Sequence, residues 1–116
     1  MFRTFLHSKI HKARVTDSQV DYEGSLGIDA QLMEIAGILP GERIDVYDIT
    51  NGERLSTYVI SEKRGSGRIK ILGAAARKIN LGDEIIITTY VQLTKEEWNS
   101  HTPMIIHVDE NNRPIK

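Results

Sequence analysis

The chain has 116 residues, 40% of them hydrophobic, and a formal net charge of −1, which suits one compact domain over residues 1–116 and gives no broad attraction for nucleic acid. It contains no cysteine, so disulfides and thiolate metal sites are excluded and a reducing compartment is the natural fit. Charge interrupts Met1-Phe2-Arg3-Thr4-Phe5-Leu6 too early for a secretory signal, and no apolar run approaches the ~18–20 residues of a membrane span; the expectation is a cytoplasmic protein with neither membrane nor nucleic-acid partner.

Apolar positions recur mostly with period two, the mark of short strands. The basic stretch Lys9-Ile10-His11-Lys12-Ala13-Arg14 reads as a solvated strand edge. Asp29 is placed to cap a helix whose apolar face is Leu32, Met33, Ile35 and Ala36; Ile28 and Met33 staple its entry and Gly37 ends it. After a turn at Pro40-Gly41, residues 43–62 form a hairpin. Ile44 and Val46 alternate with Asp45 and Tyr47, Asn51-Gly52 supplies a two-residue turn, and Leu55, Thr57 and Val59 alternate with Arg54, Ser56 and Tyr58.

Gly65-Ser66-Gly67 lacks a Walker lysine and reads as a turn. Gly73-Ala74-Ala75-Ala76-Arg77 has small residues after a strand, suited equally to a tight helix start or to close approach of a ligand to the backbone. From Asp83 to Thr94 both faces are apolar around Ile85, Ile86 and Ile87, as in a central strand. Thr94-Lys95-Glu96-Glu97 fits a capping box for a short helix carrying Trp98, Met104–Val108 a last strand, and the polar tail from Asn111 a frayed end. Many short strands with few helices predict a small barrel.

Two common site readings fail on spacing. His7 and His11 lie four apart, but no acidic partner completes a metal pattern, and His101 and His107 share no such spacing, so no metal is expected. Gly24-Ser25-Leu26-Gly27 lacks the G-x-S-x-G spacing of a hydrolase elbow.

Taken together, Tyr22-Glu23-Gly24-Ser25, Asn51-Gly52-Glu53-Arg54, Ser56-Thr57-Tyr58, Arg64-Gly65-Ser66-Gly67 and Gly73-Ala74-Ala75-Ala76-Arg77 closely resemble the pyruvoyl-dependent aspartate 1-decarboxylases. Arg3-Thr4, Lys9, His11 and Ile38-Leu39 extend the match over essentially the whole chain. The resemblance implies a mainly β fold, a double-psi β-barrel with short helices, assembled as a homotetramer with active sites at subunit boundaries. It implies a pro-enzyme that cuts itself between Gly24 and Ser25 into residues 1–24 and 25–116, with or without a maturation factor. The product is a covalent pyruvoyl cofactor at Ser25, which forms a Schiff base with L-aspartate and accepts the electron pair released with carbon dioxide, giving β-alanine for pantothenate.

By the same resemblance Tyr58 is the proton donor, and Thr57 assists self-cleavage. Lys9, Arg54, Thr57, Gly73, Ala74 and Ala75 hold substrate. Arg54 offers a planar fork for a carboxylate, and on a strand Arg54 and Tyr58 share a face while Thr57 takes the other. Leu72 departs from the pattern: the family usually carries asparagine before the Gly-Ala-Ala-Ala turn, and leucine neither donates nor accepts a hydrogen bond. The alternative is a non-catalytic β-barrel binding or regulatory module, against which stands the lack of clustered basic residues beyond Lys9–Arg14.

Overall fold

The computed structural model describes residues 1–115. Alternating side chains give eight strands there: β1 (Arg3–Arg14), β2 (Asp17–Gln19), β3 (Ser25–Asp29), β4 (Arg43–Asp48), β5 (Arg54–Glu62), β6 (Ile69–Leu72), β7 (Glu84–Leu93) and β8 (Met104–His107). Two α-helices, α1 (Ala30–Ala36) and α2 (Lys95–Trp98), and a 3-10 turn at Gly73–Arg77 connect them. The strands order as β2-β6-β3-β5-β4-β7-β1-β8, and β2 continues the chain of β1 through Val15 and Thr16. The sheet therefore returns on itself and becomes a barrel.

Three pairs, β1–β8, β2–β6 and β3–β5, run parallel in an otherwise antiparallel sheet. Parallel neighbours require crossovers; α1 and β4 make the one between β3 and β5. Inside the barrel Ile10, Val15, Leu26, Ile28, Ile44 and Ile87 are fully buried and belong to one core cluster. Among the described residues no helix is long and apolar enough to cross a membrane.

Most expected elements form. Asp29 accepts a hydrogen bond from the Gln31 N–H at the start of α1, and Gly37, at φ 73°, ends it. The capping box at Thr94 and Glu97 closes as expected, and β7 pairs on both sides, with β1 and β4. The 43–62 hairpin forms with Arg43 opposite Tyr58 and Tyr47 opposite Arg54.

Four expectations are corrected. The hairpin connection is longer than Asn51-Gly52, because Asp48 Oδ1 accepts from the Thr50 and Asn51 N–H groups and stabilises a wider turn. Ile35 is 39% exposed and leaves the apolar face of α1, which is too short to bury a full stripe. The basic stretch is no sheet edge: Ser8–Ile10 pairs with β7 on one side and Ser8–His11 with β8 on the other. The tail is not frayed among the described residues, since Asn112 is buried, accepts from the Arg14 N–H, donates to the carbonyls of Arg14 and Gly67, and is followed by a bridge between Val108 and Pro114.

Candidate active site

β3 begins at Ser25. Its antiparallel register on β6 sets Ser25 against Leu72, and its parallel register on β5 sets Leu26 against Val59. Ser25 is 3% exposed. Along β5, residues 54–58 pair with β4 on one edge, whereas β3 joins the other edge only from Val59. The unpaired edge forms one wall of a cavity of about 500 Å³ that is lined by Gly24 and Ser25, by Leu55 to Tyr58, and by Leu72, Ala74, Ala75 and Lys78.

Gly73 sets the far wall. It has φ +77°, and a Cβ there would stand 2.5 Å from Gly24 Cα, 2.7 Å from Gly24 N and 2.8 Å from Tyr22 O. Only glycine allows backbone to lie this close to backbone. At Gly24 itself a Cβ would meet only Leu72 O, at 3.9 Å. The steric demand thus falls on the residue that cradles the Gly24-Ser25 bond.

The 3-10 turn opens at Leu72, which supplies no side-chain cap, and its closing N–H groups, those of Lys78 and Ile79, both donate to Ala75 O. Gly73–Arg77 is a tight helical turn, and its Ala74 and Ala75 line the cavity.

Lys78 was not singled out by the sequence, although it directly follows that motif. Its Nζ lies 3.3 Å from Glu53 Oε2, and its carbonyl accepts from Asn51 Nδ2 at 2.8 Å. These contacts join the β4–β5 turn to the cavity wall. Beneath that turn Asp48 is buried, and burial first, then contact with Asp83, pushes its carboxyl up to about 6. Asp48 Oδ2 has no hydrogen-bond partner.

Among the residues named from sequence, Gly24, Ser25, Thr57, Tyr58, Ala74 and Ala75 meet at this cavity, and Gly73 packs directly behind Gly24. Arg54 and Lys9 do not line it. The Arg54 guanidinium lies 4.4 Å over the Tyr47 ring, and Lys9 sits across the barrel on β1, paired with Thr88 and Ile105. A separate cavity of about 360 Å³ beside Thr4, Arg43, Asp45 and Tyr90 holds none of the catalytic or substrate-binding residues expected from sequence.

The histidines pair in a way that spacing along the chain hides. His7 stacks on His101 and His11 meets His107 edge to face. Burial first, then Lys9, lowers the His11 pKa.

Comparison with known proteins follows the same lines. The crystal structure of a rationally designed double-psi barrel, mkDPBB_sym_86, superposes with a TM-score of 0.50 at 12% identity, covering 66% of this chain and 90% of that one. That likeness establishes the fold class: a mainly β, double-psi β-barrel with short helices. Aspartate 1-decarboxylase of Herminiimonas arsenicoxydans is 54% identical over 97% of this chain and 94% of its own. The enzymes so named from Caldicellulosiruptor saccharolyticus and Thermoanaerobacter pseudethanolicus are 52% and 50% identical, over 96% and 99% of this chain and 87% and 98% of their own. The family model for aspartate decarboxylase matches residues 1–115, and with these relatives it shows that the chain belongs to the aspartate decarboxylase family.

Proposed function

We propose that the chain is a precursor that cuts itself between Gly24 and Ser25, carries a pyruvoyl group made from Ser25, and decarboxylates L-aspartate to β-alanine, feeding pantothenate synthesis. The observation that carries this reading is the burial of Ser25 beside Gly24 at a cavity shared with Thr57, Tyr58, Ala74 and Ala75. In the first step Ser25 Oγ adds to the Gly24 carbonyl carbon, the C–N bond breaks, and the freed nitrogen takes a proton. An ester replaces the amide. Burial of Ser25 favours this internal attack over hydrolysis, and the Gly73 backbone pressed against Gly24 limits how the scissile peptide can move.

The residues fit the covalent group because it arises from Ser25 in place and the neighbouring Ala74 and Ala75 leave room before it. Once formed, the group supplies an electron sink for carbon dioxide loss. Tyr58 stands at the cavity and is 45% exposed, accessible to return a proton to the substrate carbon, and Thr57 assists self-cleavage and contacts substrate. Arg54 and Lys9 reach substrate at a subunit boundary, as members of a homotetramer. Self-cleavage runs unaided or with a maturation factor, and a time course of purified precursor separates the two.

The intact mass of denatured protein tests the reading. Two fragments, 1–24 and 25–116, with a ketone in place of the amine at residue 25, are expected. Ser25→Ala is expected to stay a single inactive chain. Full activity in an uncut chain overturns the mechanism.

A further inference from the structure

Arg54 is exposed, and an unrestrained arginine spreads over many rotamers, so a guanidinium that grips a carboxylate binds better when it is held in place beforehand. Arg54 is so held. It stands directly opposite Tyr47 in the β4–β5 register, on one face of the sheet, with its guanidinium carbon 4.4 Å from the centre of the Tyr47 ring. The ring is itself fixed: β4 is paired on both sides, with β5 and β7, and the Tyr47 hydroxyl shares a hydrogen bond of 2.8 Å with that of Tyr90 on β7. Burial holds the Tyr47 hydroxyl above its ordinary pKa, so Arg54 meets a neutral ring and not a phenolate. A ring occupies the flat face of a guanidinium and leaves its N–H edge open. Arg43, Arg64, Arg68 and Arg113 each meet an aspartate or glutamate carboxylate, whereas no ion pair among the described residues takes up Arg54.

We propose that Tyr47 is a positioning residue for substrate: its ring, tethered to Tyr90, holds the Arg54 guanidinium flat and leaves the N–H edge for a carboxylate of aspartate. The inference rests on the function proposed above, in which Arg54 reaches substrate at a subunit boundary. Tyr47 does not line the Ser25 cavity and acts only through Arg54. Its loss therefore weakens binding and spares the chemistry, since a hold on the carboxylate common to ground and transition state bears on KM and not on kcat. A stack that served only the hairpin would change Tm and leave substrate affinity alone.

Succinate is the probe for binding, because it offers carboxylates without an amine and undergoes no chemistry at Ser25. In processed, assembled protein, Tyr47→Leu and Tyr47→Met are expected to weaken succinate binding roughly fivefold by calorimetry, the scale of an exposed cation–π contact. Both raise KM for aspartate by the same factor and spare kcat. Tyr47→Phe keeps the ring and restores most of the affinity. On an Arg54→Gln background, Tyr47→Leu causes no further loss. An unchanged succinate affinity in both apolar variants, an equal loss in Tyr47→Phe, a further loss on the Arg54→Gln background, or no succinate binding by the wild type overturns the inference. Lack of turnover of aspartate by processed wild-type protein refutes the proposed function instead, and the succinate measurements still decide the role of Tyr47.

Discussion

Gly73 is under tighter steric control than Gly24, although the cut is proposed at Gly24. Gly73→Ala puts a Cβ in contact with Gly24 backbone atoms at a φ of +77°, and a cost on the order of 2–4 kcal/mol is expected. Calorimetry should show a fall in Tm, and mass spectrometry an uncut chain. Gly24→Ala meets no such contact and should fold with a stability within about 0.5 kcal/mol of wild type; any slowing of its cleavage then reports on the reaction itself. Leu72 poses the reverse balance. Leu72→Asn adds an N-cap worth about 1 kcal/mol to the 3-10 turn, yet removes a side chain that is 4% exposed and worth about 2 kcal/mol. Tm should drop by roughly 4 °C, while the polar group beside Ser25 speeds cleavage. A cleavage rate indifferent to the change would mean that leucine costs the site nothing.

Two aspartates that organise turns respond to pH in opposite directions. Burial opposes ionisation of Asp29, but the N–H groups of Gly67, Gln31 and Gly65 outweigh it and lower the pKa. One carboxylate thereby caps α1 and folds the Gly65-Ser66-Gly67 loop around itself, which is the work of that motif. Its stabilisation is present above the unfolded pKa and is lost as pH falls through the folded one. Asp29→Asn should cost about 1–3 kcal/mol at neutral pH, with the deficit closing in acid. For Asp48 the folded pKa is raised to about 6, so stability is greatest below the unfolded pKa and is lost as pH rises through 6. Asp48→Asn keeps the acceptor for Thr50 and Asn51 and should stabilise the protein above that pH by on the order of 1–2 kcal/mol. Denaturant midpoints measured across the pH range check both signs.

At the scale of the whole molecule, the distribution of the expected site residues is itself a prediction. Ser25, Thr57 and Tyr58 share a cavity within one chain, whereas Lys9 lies on β1 and does not line it. If Lys9 serves a neighbour's site across a subunit boundary, then Lys9→Ala and Ser25→Ala chains, each inactive alone, should regain part of the activity when co-assembled. Some boundaries then bring an intact Ser25 to an intact Lys9. Light scattering should give four times the chain mass. No recovery in verified mixed oligomers would confine each site to a single chain.

Local chemistry made much of this protein legible in its sequence. Alternation set the faces of β4 and β5, Asp29 and Gly37 bounded α1, and Thr94 with Glu97 fixed α2, because each depends on neighbours a few residues apart. The set of short motifs around Ser25, Thr57, Tyr58 and Gly73 located the cavity through resemblance, since similar residues at similar spacings fold around similar sites. Contacts distant in sequence were decided only by the tertiary structure. The parallel pairing of β1 with β8 brings His11 to His107, and barrel closure buries Asn112 between Arg14 and Gly67, in a tail that reads as polar and loose. Lys78 looks like an ordinary surface lysine until Asn51 and Glu53 meet it across the β4–β5 turn. Side-chain pattern fixes which face of a strand turns inward, whereas register and closure fix what that face meets, and no local signal encodes the second.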